Sequence, residues 1–217
     1  DQLNKRRGLK ELLQTHCGMM GLDSTYGSNR YTKFVEGSYI NIGAASDWEA
    51  ALGSLGSQKM TFSFWFYLDS NSATYDTLLT IGNSTIRLEL YKSSSEFYLR
   101  LWVRYQNDPN VSENNGVWRN TTSFAAETWY HITITLDGSY FSPPDIYIDD
   151  SLSPDNVVRY GGSYIIDRPM FPFADNYYGD DERVMLGNNK TLNKSFLGRM
   201  TNFATWDRIL SIPEIKL

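Results

Sequence analysis

The run Tyr177-Tyr178-Gly179-Asp180-Asp181-Glu182, preceded by Asp175 and Asn176, sets aromatic rings beside a dense group of carboxylates. Two chemistries suit that grouping. Asp175, Asp180, Asp181 and Glu182 offer the oxygen ligands that Ca²⁺ takes, although their spacing follows no loop formula such as that of the EF-hand. Tyr177 and Tyr178 offer faces on which a sugar ring can stack, while Asp180 and Asp181 accept hydrogen bonds from its hydroxyls. Trp118 and Tyr105, in a second long polar stretch, would add stacking surface. The plain alternative is a solvated acidic loop with its tyrosines packed on the rim. The expectation is therefore a binding site at Tyr177, Tyr178, Asp180, Asp181 and Trp118, with calcium as the one cofactor these residues suggest.

Other chemistry finds little material. Cys17 is the only cysteine, so neither a disulfide within the chain nor a multi-thiolate zinc site can form. His16 and His131 are the only histidines. The chain contains no Gly-x-Ser-x-Gly elbow, no His-Glu-x-x-His and no phosphate-binding loop. A net charge of −5 argues against a general nucleic-acid binder, which needs a basic face to displace counterions from phosphates. Lys5-Arg6-Arg7 and Lys10 form a small basic cluster that reads as a solvated arm or as a contact with an acidic partner. No run of about 18 apolar residues is present, so no membrane-spanning helix is expected.

Whatever binds must be positioned by strands. From Phe34 onward, short runs alternate apolar with polar residues, as in Thr61 to Tyr67, Ile86 to Leu90, Phe97 to Val103 and Tyr130 to Leu136. Phe34-Val35, Tyr39 to Ile42, Thr77 to Ile81, Asp145 to Ile148 and Val184 to Gly187 are further strands. Gly43, Gly82-Asn83, Asp137-Gly138, Gly161-Gly162 and Gly187-Asn188 break the runs as turns. Many short antiparallel strands at turn spacing predict a sandwich or barrel. In the Tyr130 to Leu136 run, Ile132, Ile134 and Leu136 should face a core, with His131, Thr133 and Thr135 facing water. Trp65, Trp129, Trp206 and Phe62 read as core aromatics. The polar stretches near 105–126 and 151–182 are too long for ordinary connections and are the natural places for function.

Residues 1–33 stand apart. Leu9, Leu12, Leu13, His16 and Met20 recur near helical spacing, which predicts a short amphipathic helix in an N-terminal arm. Such an arm packs on its own domain or docks onto neighbouring subunits.

The order of motifs resembles the LamG-like jelly roll of the concanavalin A-like lectin/glucanase superfamily. Tyr39-Ile40-Asn41-Ile42-Gly43 looks like its first core strand, and Met60 to Tyr67 resembles a strand carrying an inward tryptophan, here Trp65. Trp129 to Ser139 is similar to its Trp-led hairpin. Asp145 to Leu152, Val184 to Asn188 and Phe196 to Met200 resemble the strands that follow. Trp206-Asp207-Arg208-Ile209-Leu210-Ser211-Ile212-Pro213-Glu214-Ile215 is similar to its closing clasp, a turn of helix starting at a serine. The resemblance covers residues 34–217 and implies an all-β, two-sheet antiparallel jelly-roll sandwich, with residues 1–33 as the arm. Animal laminin-type members commonly carry a late disulfide, which this chain cannot make; that favours a bacterial or viral relative.

Glycoside hydrolases on the same fold are similar in a strand bearing Glu-x-Asp-x-x-Glu, whose acid and nucleophile sit about 5 Å apart for retaining chemistry. That motif is missing, and Glu89 alternates with Arg87 and Tyr91. The implied function is a non-catalytic, surface-displayed structural or adhesion module, in the first place a virion (capsid or tail) structural or decoration protein, on a virion surface or outside a cell. Its implied partners are neighbouring subunits, through the arm, and cell-surface glycans. The alternatives are a secreted carbohydrate-binding module of a larger bacterial protein and an atypical glycoside hydrolase.

Overall fold

A computed structural model describes residues 31–52, 59–70, 75–82, 85–104, 115–138, 142–149, 151, 154–161, 183–189 and 191–215. Among these are twelve strands: β1 Thr32–Phe34, β2 Ile40–Ala44, β3 Met60–Leu68, β4 Tyr75–Ile81, β5 Ile86–Ser93, β6 Glu96–Arg104, β7 Asn115–Asn120, β8 Trp129–Leu136, β9 Asp145–Ile148, β10 Val157–Gly161, β11 Arg183–Leu186 and β12 Gly198–Trp206. Helix α1 spans Ala45–Leu52 and helix α2 spans Ile212–Ile215. The strands form a five-stranded sheet, β1-β12-β3-β8-β9, and a seven-stranded sheet, β10-β7-β6-β5-β4-β11-β2. Every pairing is antiparallel. The result is an all-β two-sheet arrangement consistent with a jelly-roll sandwich. The expected helix of the arm lies outside the described residues. Strand β1 takes in Thr32 and Lys33, which the expected boundary at 34 left in the arm.

One core fills the space between the sheets. Met60, Phe62, Phe64, Phe66 and Leu68 of β3 meet Leu88, Leu90, Leu99 and Leu101 of the seven-stranded sheet in a single buried cluster. Strand parity decides which residues reach it. With Phe62, Phe64 and Phe66 turned inward, Thr61, Ser63, Trp65 and Tyr67 must point outward. Trp65 is therefore not the inward tryptophan expected, and Trp129 stands outside too, as the cross-strand partner of Tyr67. A bulge between Thr201 and Ala204 keeps β12 in step with β3 and pairs Trp206 with outward Thr61. Phe62 alone of the four expected core aromatics lies in the main core.

Thr133 and Thr135 point away from the core as expected, yet both are buried. The cover comes from the end of the chain, where Leu210 and Ile215 cluster with Tyr147 and Trp206 on the outer side of the five-stranded sheet. Ser211 starts helix α2. Its amide and hydroxyl both donate to Glu214 Oε2, at 3.0 and 2.7 Å, and Arg208 holds the same carboxylate. This is the carboxylate half of a capping box, with the serine hydroxyl also donating to the carboxylate and an arginine drawing it tight. It pins the clasp that the sequence predicts.

Candidate functional site

The outer face of the seven-stranded sheet carries the densest grouping of chemistry among the described residues. Alternation in β5 turns Ile86, Leu88 and Leu90 inward and leaves Arg87, Glu89 and Tyr91 outside. In β6, Phe97, Leu99, Leu101 and Val103 go inward, leaving Tyr98, Arg100, Trp102 and Arg104 outside. Register then sets these side chains in rows. Tyr75, Tyr91 and Tyr98 form one row, Thr77, Glu89, Arg100 and Arg119 a second, and Thr80, Arg87 and Trp102 a third.

Glu89 is the hub. Its carboxylate is fully buried (0% exposed). Lys194 Nζ donates to Oε1 at 3.0 Å, Arg87 Nε lies 3.0 Å from the same oxygen, and the Trp102 indole N–H donates to Oε2 at 2.9 Å. Burying a carboxylate is costly unless such a full set of partners meets it. Burial pulls the Arg87 guanidinium below its ordinary value, Glu89 opposes that pull, and Arg100 adds to it. Arg100, only 6% exposed, lies 4.9 Å from the Trp102 ring centre, 5.2 Å from Tyr91 and 5.4 Å from Tyr75. Arg87 covers the Trp102 ring at 4.7 Å, Arg119 covers Tyr98 at 4.6 Å, and Lys194 covers Tyr75 at 4.8 Å. Such contacts fix cations over ring faces.

Lys194 reaches this hub from the loop after β11, which runs beside β4 and bridges to Thr77 through Ser195. Asn188 organises that loop: its Oδ1 accepts from the amides of Asn189 and Lys194, and its Nδ2 donates to Ser195 Oγ. The Lys194 carbonyl in turn accepts the Thr77 amide at 3.0 Å, so the lysine stem rises beside strand β4.

The sequence-predicted site is distributed differently. Tyr177, Tyr178, Asp175, Asp180, Asp181 and Glu182 lie outside the described residues, as does Tyr105. Trp118 is a correction. It stands in β7 and not in a loop, pairs with Leu101, and is 4% exposed. Its indole lies where a Cβ on Gly116 would sit, 2.1 Å from its ring edge, so the glycine makes room for it in the core. A ring so enclosed has no face for a sugar. No three His, Cys, Asp or Glu side chains converge as a metal site among the described residues. Asn120, which begins the sequence Asn120-Thr121-Thr122, is fully buried: its Oδ1 accepts the Leu99 amide and its Nδ2 donates to the Thr122 carbonyl.

Sequence reasoning missed Arg87, Arg100, Arg119, Trp102, Tyr75, Tyr91, Tyr98 and Lys194. A signal for most of them was present: the outward positions of β5 and β6 combine arginine with aromatics instead of the usual small polar residues. Nothing local marks Lys194.

A family profile described as the concanavalin A-like lectin/glucanases superfamily matches residues 36–216. The chain belongs to this superfamily. Among solved structures, this superfamily member is similar to a candidate carbohydrate binding protein from Bacteroides ovatus, with a TM-score of 0.55 and 17% identity over 86% of this chain and 45% of that one. It is also similar to the receptor binding domain of botulinum neurotoxin C/D mosaic serotype, with a TM-score of 0.52 and 14% identity over 90% of this chain and 43% of that one. Trypanosoma rangeli sialidase in complex with the inhibitor DANA matches with a TM-score of 0.53 and 12% identity, over 90% of this chain and 28% of that one. The chain thus spans less than half the length of each, and at these identities the likeness establishes the fold. A search among curated proteins finds no match.

Proposed function

We propose that the chain is a non-catalytic attachment module that holds an acidic glycan on the outer face of its seven-stranded sheet. One observation carries this reading: Arg87, Arg100, Arg119 and Lys194 stand among Tyr75, Tyr91, Tyr98 and Trp102, around a single carboxylate that already has its donors. Aromatic faces suit pyranose rings, and arginine forks suit a carboxylate or sulfate substituent. The sign of this face is opposite to that of the whole chain, whose net charge is −5. The non-catalytic part of the reading is supported by the neighbours of Glu89. They are Thr77 and Arg100 across the strands, where two-carboxylate hydrolysis would need a second acid.

The setting belongs to the same proposal. An attachment module would stand on a virion surface or outside a cell, joined to neighbouring subunits by the arm at residues 1–33. Support for the virion comes from the sequence of that arm and of the polar loops.

A glycan array probed with the full chain tests the binding. Sialylated, uronate-bearing or sulfated glycans should be retained, with signal falling as salt rises and falling again in Lys194→Ala and Arg87→Ala. Retention of no glycan at low salt overturns the reading.

A further inference from the structure

We infer that the aromatic half of the outer face of the five-stranded sheet is the seat of the chain's own N-terminal segment, residues 1–30, which lie outside the described residues. The inference concerns the lone chain and does not depend on the ligand proposed for the opposite face.

The face has two halves. In one, Leu210 and Ile215 pack with Tyr147 and Trp206, so the C-terminal end of the described chain already covers part of this sheet. The other half carries two rows of outward side chains. Lys33, Arg199, Tyr67 and Trp129 are successive cross-strand partners over β1, β12, β3 and β8, and Thr201, Trp65 and His131 form the next row. Trp65, Tyr67 and Trp129 belong to neither hydrophobic cluster of the described residues, and each is half-buried. The outer side of an antiparallel sheet ordinarily shows polar residues to water, so three large rings in two rows mark a contact surface. Trp65 already stacks on His131 at 5.0 Å, and the Arg199 guanidinium lies 4.4 Å from the Tyr67 ring. A flat ligand finds those ring faces taken. The ring edges that remain suit apolar side chains packing between them.

The point at which the segment joins the sheet selects it as the occupant. Tyr31, the first described residue, is already on this face: its ring lies 6.1 Å from Trp129 and 5.5 Å from the Arg199 guanidinium. Strand β1 follows at Thr32. The chain before Tyr31 is thus tethered beside the rows, at a local concentration on the order of millimolar. Its reach suffices. Residues 21–30 can span up to about 35 Å when extended, whereas the longer row is about 14 Å across at the usual strand spacing.

The segment also has the surface such a seat takes. Leu9, Leu12, Leu13 and Met20 recur near helical spacing, and the helix predicted over residues 8–19 would be about 18 Å long, close to the width of the rows. Charge sorts the same way. Lys5, Arg6, Arg7 and Lys10 lie toward the end of the segment remote from Tyr31. Exposed Glu127 and Asp149 stand on the β8 side of the rows, away from β1; Asp149 Oδ1 accepts the His131 amide at 2.8 Å. A segment that leaves β1 and crosses the rows brings its basic end to those carboxylates. Subunits joined by the arm would then exchange it between like seats.

Cys17 is the only cysteine, so a nitroxide attached to it reports on the segment in the full chain without any substitution. In dilute isotopically labelled chain, the nitroxide should broaden the backbone amide signals of Trp65, Tyr67, Trp129, His131 and Thr201 and spare those of β5 and β6. Labelled chain without nitroxide, mixed at the same concentration with unlabelled chain that carries it, should show no broadening. Leu9→Asp with Leu12→Asp should abolish the broadening at the two rows. These positions precede the superfamily match at 36–216, so the remaining amide signals should keep their positions. Broadening confined to the neighbours of Tyr31, centred on β5 and β6, seen only in the mixed sample, or indifferent to the two aspartates overturns the inference.

Discussion

Lys194 Nζ lies 3.0 Å from Glu89 Oε1 across 105 residues of sequence. The contact joins a loop to the middle of a sheet, and it makes the buried carboxylate tolerable. Glu89→Gln removes the charge that Arg87 and Lys194 both face. Breaking a buried ion pair from one side costs about 3 kcal/mol or more, because the remaining charge is left buried and unanswered. Urea unfolding at neutral pH should show that loss. Lys194→Met, which keeps the stem and leaves Arg87 and Trp102 on the carboxylate, should cost clearly less. Equal losses for the two variants would mean that the lysine is the dominant partner.

Gly187 is the hinge of the same loop. Its φ is +84°, and a Cβ there would lie 2.1 Å from the buried Phe34 ring. Both backbone and packing oppose any side chain. Gly187→Ala should destabilise the chain by about 2 kcal/mol or more, read as a fall in thermal midpoint. A paired Gly187→Ala, Phe34→Leu variant should recover the packing share and leave the backbone share.

Much of the fold is legible in the alternation of strands β3, β5, β6 and β8, because a strand with one face in a core writes its parity into the sequence. Parity alone does not say which of two apolar faces goes inward. In Met60 to Leu68 both faces carry aromatics, and the phenylalanines take the core while Trp65 and Tyr67 stay outside. Strand β7 is hard to read because Asn115, Gly116, Arg119 and Asn120 surround only two apolar residues. Lys194 is illegible for a different reason: its role depends on a turn built by Asn188, and long-range placement leaves no local pattern. The acidic run at 175–182 drew attention by composition, whereas the cation–aromatic face is assembled from five separate segments, none conspicuous by itself.

Acid should loosen the chain at two carboxylates. Burial would raise Asp155, but the amide and hydroxyl of Thr122 and the amides of Thr121 and Asn156 outweigh it and hold the carboxyl below its ordinary value. Arg208 and Ser211 hold Glu214 well below 4.5. A carboxyl whose pKa is lowered on folding stabilises the fold fully above its unfolded value and loses that contribution as pH falls. Stability from this source is thus present above about pH 5 and declines below about pH 4. Both groups face solvent, so the effect is small and weakens in salt. The stability gap between the unsubstituted chain and an Asp155→Asn, Glu214→Gln double variant should narrow from pH 6 to pH 3. A gap that widens would reverse the assignment.

The clasp hangs on one hydroxyl. Thr61 Oγ1 donates to the Arg208 carbonyl at 2.7 Å and accepts the Leu210 amide at 3.1 Å, in a position with no solvent exposure. Thr61→Val keeps the shape and β-branching of the side chain but leaves a buried amide and a carbonyl without partners. Each unmet group costs about 1–3 kcal/mol, so the clasp should detach in preference to keeping them buried. Hydrogen exchange should then rise at Leu210 to Ile215 and at the covered Thr133 and Thr135, while β5 and β6 on the opposite sheet stay protected. Uniform loss of protection would mean that the clasp and the sandwich unfold as one unit. Ser211→Ala provides the contrast: it removes the hydroxyl bond to Glu214 but leaves Thr61 in place, and should raise exchange only within helix α2.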